Sequence, residues 1–279
     1  MTTEQIKQEL QEKITQGFIP YAMGWKDNIK SLKQKPFGIE LLQIDVSKSE
    51  NKKFFELYLV ANGLAFGGKD MGMPAWVALD CVALPTTSIG LALPAEKLSE
   101  KLKKEFELEA GYEGLVPITM YNALPAYHNK KTFINFTICS LMPNGGLGKL
   151  TTALAIEAYD ADTIKSIIQY DSYAIKLHSK LGNLSVESAQ VPVHTMGEMT
   201  LVYTVDVKNK EALYTNMCMA CDTEKVKKKA TFLLDPNDLK TKQAMQQNIE
   251  KGKVKYTILK PGLIECEGKM LVPILEEKT

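Results

Sequence analysis

The run Thr132-Phe-Ile-Asn-Phe-Thr-Ile-Cys-Ser-Leu141, continued by Met142-Pro-Asn-Gly-Gly-Leu-Gly-Lys-Leu-Thr-Thr-Ala-Leu-Ala-Ile-Glu-Ala158, decides how this chain is read. Its first half is dense in β-branched and aromatic residues and predicts the strongest strand in the sequence. Gly145 and Gly146 interrupt it, and an Ala/Leu-rich stretch then predicts a helix from about Leu147 to Tyr159. A strand that runs through glycines into a helix aims free backbone N–H groups and the positive end of the helix dipole at one spot. That spot suits a phosphate or pyrophosphate. The candidate binding residues are Gly145, Gly146, Leu147, Gly148 and Lys149, and the alternative is a glycine turn that binds nothing.

Downstream, Thr163–Gln169 reads as a short strand and Ser172–Leu181 as a following helical segment; the alternative is a hairpin of two strands, Tyr173–Ser179 and Leu184–Glu187, joined by Lys180–Asn183. Strands at Met199–Val207 and Val254–Leu259 flank a helix that Pro236 opens and Gly252 closes, and the last strands lie near Leu263–Val272. Upstream, Ile6, Leu10 and Ile14 recur at helical spacing, with Thr2 and Gln5 at capping-box distance and Gly17 as the stop. Phe18 to Phe37 reads as irregular. Ile39–Val46 and Phe54–Ala61 are strand candidates, Gly63–Pro74 is a glycine-rich loop, and Trp76–Leu84 is a strand or a helix. Pro94 opens a helix through about Phe106. Cys81, Pro85 and Gly90 share their spacing with Cys139, Pro143 and Gly148, a faint sign of internal duplication.

Helices and strands mix without regular alternation, so the expected fold is α+β with a mixed or largely antiparallel central sheet flanked by helices. The charged segment Lys101–Tyr112 offers a join between an N-terminal part, 1–112, and a core with a C-terminal extension, 113–279. One continuous domain is the alternative.

Composition narrows the function classes. Hydrophobic residues make up 45% and charged residues 24%, ordinary values for a chain that buries a core. Lys+Arg 34 against Asp+Glu 33 leaves a net charge of +1 and no global field for nucleic acid or an anionic membrane. The lysine runs at 101–104 and 225–229 read as solvated helix faces. No basic and apolar leader is apparent, and the five scattered cysteines do not suggest a disulfide scaffold, so a cytoplasmic protein is expected. A homo-oligomer is left open. Cys218-Met-Ala-Cys221 is the sole C-x-x-C, and with three histidines (128, 178 and 194) at unhelpful spacings no metal site is expected.

The central segment resembles the GCN5-related N-acetyltransferase family. Gly146-Leu147-Gly148 opens the helix as that family's pyrophosphate loop does. In Asp171-Ser-Tyr-Ala-Ile-Lys-Leu-His-Ser-Lys-Leu-Gly-Asn183, the residues Ala174, Leu177, Lys180 and Gly182 match the family's second signature. Pro143, Asp171, His178 and Asn183 depart from it, and the likeness covers about a quarter of the chain. The resemblance implies an acyl-CoA-dependent transferase acting on a small-molecule or amine acceptor. The amides of the turn would hold the pyrophosphate of acyl-CoA, and His178 would replace the tyrosine that protonates the departing CoA thiolate. An imidazole with a reference pKa of ~6.5 suits acid–base work near neutrality.

Two rivals follow from the same residues. Lys149 after a glycine turn, if it faced an apolar pocket, would suit a Schiff-base lyase resembling acetoacetate decarboxylase, although Leu150 stands where that enzyme's second lysine belongs. Leu150 also occupies the position where a Walker-type loop needs its hydroxyl. The third reading is a non-enzymatic small-molecule binder or structural partner protein; of the 12 methionines, those around Met71, Met73, Met217 and Met219 suit either an adaptable apolar pocket or plain core filling, the latter being the safer reading.

Overall fold

The computed structural model describes residues 3–67, 72–142, 145–192 and 197–279. The chain forms two compact units, Thr3–Ala161 and Asp162–Thr279. The charged segment Lys101–Tyr112 lies inside the first.

The first unit runs α1 (Thr3–Thr15), β1 (Ile19–Gly24), α2 (Lys26–Ser31), β2 (Leu42–Asp45), α3 (Lys52–Phe66), β3 (Thr87–Pro94), α4 (Glu100–Glu105), β4 (Leu115–Pro117), β5 (Thr119–Ala126), β6 (Asn129–Ser140) and α5 (Leu147–Tyr159). Its strands lie in the order β2-β1-β3-β5-β6, with β4 also on β3. Among the described residues of this unit, only the β1–β2 pair is parallel. The second unit runs β7 (Thr163–Gln169), α6 (Ala174–His178), β8 (Leu184–Ser188), β9 (Thr200–Asp206), α7 (Lys210–Cys218), α8 (Thr223–Lys229), β10 (Phe232–Leu234), α9 (Leu239–Glu250), β11 (Val254–Ile258), β12 (Ile264–Cys266) and β13 (Lys269–Lys278). Its antiparallel order is β7-β9-β8-β11-β13-β10, and β12 folds back on β13. The α+β expectation holds, and among the described pairs within each unit all but β1–β2 are antiparallel.

Several local readings change. Phe54–Ala61 is helical. Phe54, Leu57, Tyr58 and Ala61 are its buried residues, a 3.6-residue period hidden beneath the alternation of Phe55 to Leu59. That helix continues through Phe66, so the glycine-rich stretch begins inside it. The irregular segment 18–37 contains β1, whose residues Tyr21, Ala22 and Met23 are wholly buried, and α2. Val77–Ala83 forms a π-helical turn burying Ala78, Val82 and Ala83. Pro94 ends β3 and leads into a short 3-10 turn, Ala95–Lys97, and α4 beyond it is separately capped by Ser99, whose side chain accepts from Leu102 N. The hairpin alternative fails because Ala174–His178 is helical. The duplication fails too: Cys81 sits in the π-helical turn and Cys139 in β6, while Gly90 is in β3 and Gly148 in α5. Thr2, Met71, Pro143 and His194 lie outside the described residues. No helix among the described residues is long and apolar enough to cross a membrane.

Candidate functional site

The site is built from the end of β6 and the start of α5, both in the first unit. β5 and β6 pair Asn122 with Thr137 and then Ala123 with Asn135. Phe136 is therefore an extra residue, a β-bulge that turns its ring outward to 47% exposure. Past the bulge the strand continues to Ser140, and Leu141 N still donates to Ile118 O at 3.0 Å. The chain then turns through Gly145 and Gly146 into α5.

Gly146 has φ +71 and ψ 0, the left-handed conformation. A Cβ placed on it would meet nothing within 4 Å. The glycine is thus required by the backbone angle, not by crowding. Its carbonyl accepts from Leu150 N at 3.1 Å, closing the first helical turn. No side chain caps that turn and no acidic residue stands within it. The N–H groups of Leu147, Gly148 and Lys149 come before the first intrahelical bond, at the positive end of a 13-residue helix. The helix itself is firmly seated. Ten of its thirteen residues are buried, Thr151 Oγ1 shares a 2.6 Å hydrogen bond with Thr119 Oγ1, and Tyr159 OH donates to Thr87 O.

The Lys149 side chain takes another course. Its ammonium pairs with the Glu9 carboxylate of α1, and the two side chains are only 14% and 29% exposed. The Schiff-base reading required an amine in an apolar pocket. Lys149 faces a carboxylate instead, and that reading is set aside.

His178 closes α6 in the second unit and is 7% exposed. Its Nδ1 is hydrogen-bonded to Tyr203 OH, and the two rings meet edge to face at 5.7 Å. Burial pushes its pKa down to about 4, because desolvation penalises the imidazolium. At neutral pH the ring is therefore uncharged, and the imidazolium form that the implied acid role would draw on is disfavoured. His178 is a core histidine, with Tyr203 as the partner that sequence reasoning missed.

The C-x-x-C thiols are half-buried at the end of α7. Cys221 Sγ donates to Lys260 O at 3.2 Å, and burial raises its thiol pKa. Lys260 Nζ in turn donates to the carbonyls of Asn216 and Met219. No group of three or more potential metal ligands is gathered among the described residues.

No family model matches the chain, and no curated protein matches it in sequence. Among solved structures it is similar to the ribosomal-protein-S18-alanine N-acetyltransferase of Escherichia coli, with 11% identity and a TM-score of 0.39 over 57% of this chain and 90% of that one. It is also similar to a putative N-acetyltransferase of Lactobacillus plantarum, with 10% identity and a TM-score of 0.38 over 68% of this chain and 98% of that one.

Proposed function

We propose that this protein is an acyl-CoA-dependent acyltransferase acting on a small-molecule or amine acceptor, and that acyl-CoA is its co-substrate. The observation that carries the reading is the uncapped first turn of α5, entered through left-handed Gly146. Exposed Gly145 and Gly146 leave room for a phosphate, and the N–H groups of Leu147, Gly148 and Lys149 supply donors without an internal competitor in that turn. The order strand, glycine turn, helix, strand, helix along 129–178 supports it, since the second signature of the resemblance falls on α6 and the residues after it. Bound there, acyl-CoA would supply an activated thioester. This chain's part is to hold its pyrophosphate by backbone donors that need no reorganisation. Neither the Lys149 amine nor the His178 imidazole has a chemical role in this reading.

Titration calorimetry with acetyl-CoA and longer acyl-CoAs tests the proposal. Binding is expected, and Gly146→Asp is expected to abolish it by placing a carboxylate where the phosphate belongs. A folded protein that binds no member of the panel overturns it and leaves a non-enzymatic binder as the better description.

A further inference from the structure

The second unit holds a cleft of about 420 Å³ between the turn joining α6 to β8, the end of β9 and the start of α7. That size lies in the range of small-molecule sites. Gly182, which the sequence marked as part of a signature, forms one wall. It has φ +146, and a Cβ there would come to 3.7 Å from both Asn216 Nδ2 and Val205 Cγ2.

The polar groups on the other walls have assignable directions. Asn183 Oδ1 accepts from Lys260 N at 3.1 Å, and Asn209 Oδ1 accepts from Ala212 N at 3.0 Å. A backbone N–H needs an oxygen acceptor, so the free end of each amide is its NH₂. Asp206 Oδ1 accepts from Lys208 N at 2.8 Å, leaving Oδ2 free. Asp206 and Lys208 both line the cleft, and neither side-chain charge joins an ion pair among the described residues. The cleft therefore presents an unpaired cation with two oriented amide donors, and an unpaired carboxylate oxygen. Leu181, Val205 and Leu213 add an apolar wall.

We propose that this cleft binds a small zwitterion of amino-acid size. Its carboxylate is taken by Lys208 and the NH₂ groups of Asn183 and Asn209, and its ammonium by Asp206 Oδ2. The inference stands apart from the acyl-CoA reading and uses none of its residues.

Nuclear magnetic resonance titration of the full chain with L-serine tests it, with acetate and methylamine as single-charge controls. Millimolar binding is expected, with shifts in the side-chain NH₂ signals of Asn183 and Asn209. Asp206→Asn keeps an oxygen for Lys208 N, and Lys208→Gln leaves the backbone untouched. Each is expected to weaken serine about tenfold, the loss of one charge-assisted hydrogen bond. Three results overturn the proposal: no shifts with serine, equal binding of serine and acetate, or unchanged affinity in both variants.

Discussion

α5 and α9 are helices of nearly equal length held in opposite ways. α5 has ten buried residues, chiefly apolar, and leaves its first turn without a cap. α9 buries only Lys242 and Met245. Its start is closed by Asp238, which accepts from Thr241 N at 3.0 Å and from Thr241 Oγ1 at 2.6 Å. These bonds hold the Asp238 carboxyl below its usual range. α9 then reaches outward with polar side chains. Lys242 Nζ donates to Glu198 O at 2.6 Å and to Pro236 O at 2.7 Å, with the Tyr170 ring 5.3 Å away. One turn on, Gln246 Oε1 accepts from Ala189 N at 2.8 Å and Ser188 Oγ at 3.1 Å. Two side chains of one helix thus hold backbone at both ends of the 188–199 connection. The lesson is that a helix anchored by apolar burial can leave its terminus free for a ligand, whereas α9 has its terminus and its side chains already committed to the protein.

Breaking the apolar anchor is expected to have the largest effect. Leu154→Ala empties a fully buried position and is expected to cost between about 2 and 5 kcal/mol in denaturant unfolding. Next comes acid. His178 is held at about 4 in the folded chain against ~6.5 when unfolded. As pH falls the unfolded chain takes up the proton first. The stabilisation is whole above about pH 6.5 and lost progressively down to about pH 4, by up to about 3 kcal/mol. A stability profile over that window should flatten by this amount in His178→Gln; an unchanged slope would show that other groups carry the acid sensitivity.

Lys242→Met is expected to destabilise by about 2 to 3 kcal/mol, because the carbonyls of Glu198 and Pro236 lose a buried charged donor. A smaller loss would mean that water replaces the ammonium there. The weakest effect separates the two helix starts. Asp238→Ala should cost about 1 kcal/mol. Gly146→Asp should change stability by about 1 to 2 kcal/mol at most, the cost of a side chain in the left-handed region, while removing acyl-CoA binding. If the two substitutions act alike on stability and binding, the contrast between the helices fails.

The parts legible in sequence were those set by local pattern. The residues of β6, α5 and β7 were readable because each spans a complete run of its own period, bounded by glycines or polar turns. α3 was misread because five residues alternate within a helix whose burial period becomes visible only over eight. In the turn, the glycines were readable, yet the fate of Lys149 was not: its partner Glu9 lies 140 residues away in sequence. No local signal marks such a pair.

By itself, then, the sequence determined the α+β class and the strand–glycine–helix passage at 132–159, since glycine and side-chain periodicity act over a few residues. Tertiary structure decided the rest. It put Lys149 against a carboxylate, buried His178 beside Tyr203 so that desolvation keeps the ring uncharged, and opened the cleft over Gly182. Each of those outcomes depends on which distant side chains exclude water from a group, and that is set only when the chain has closed on itself.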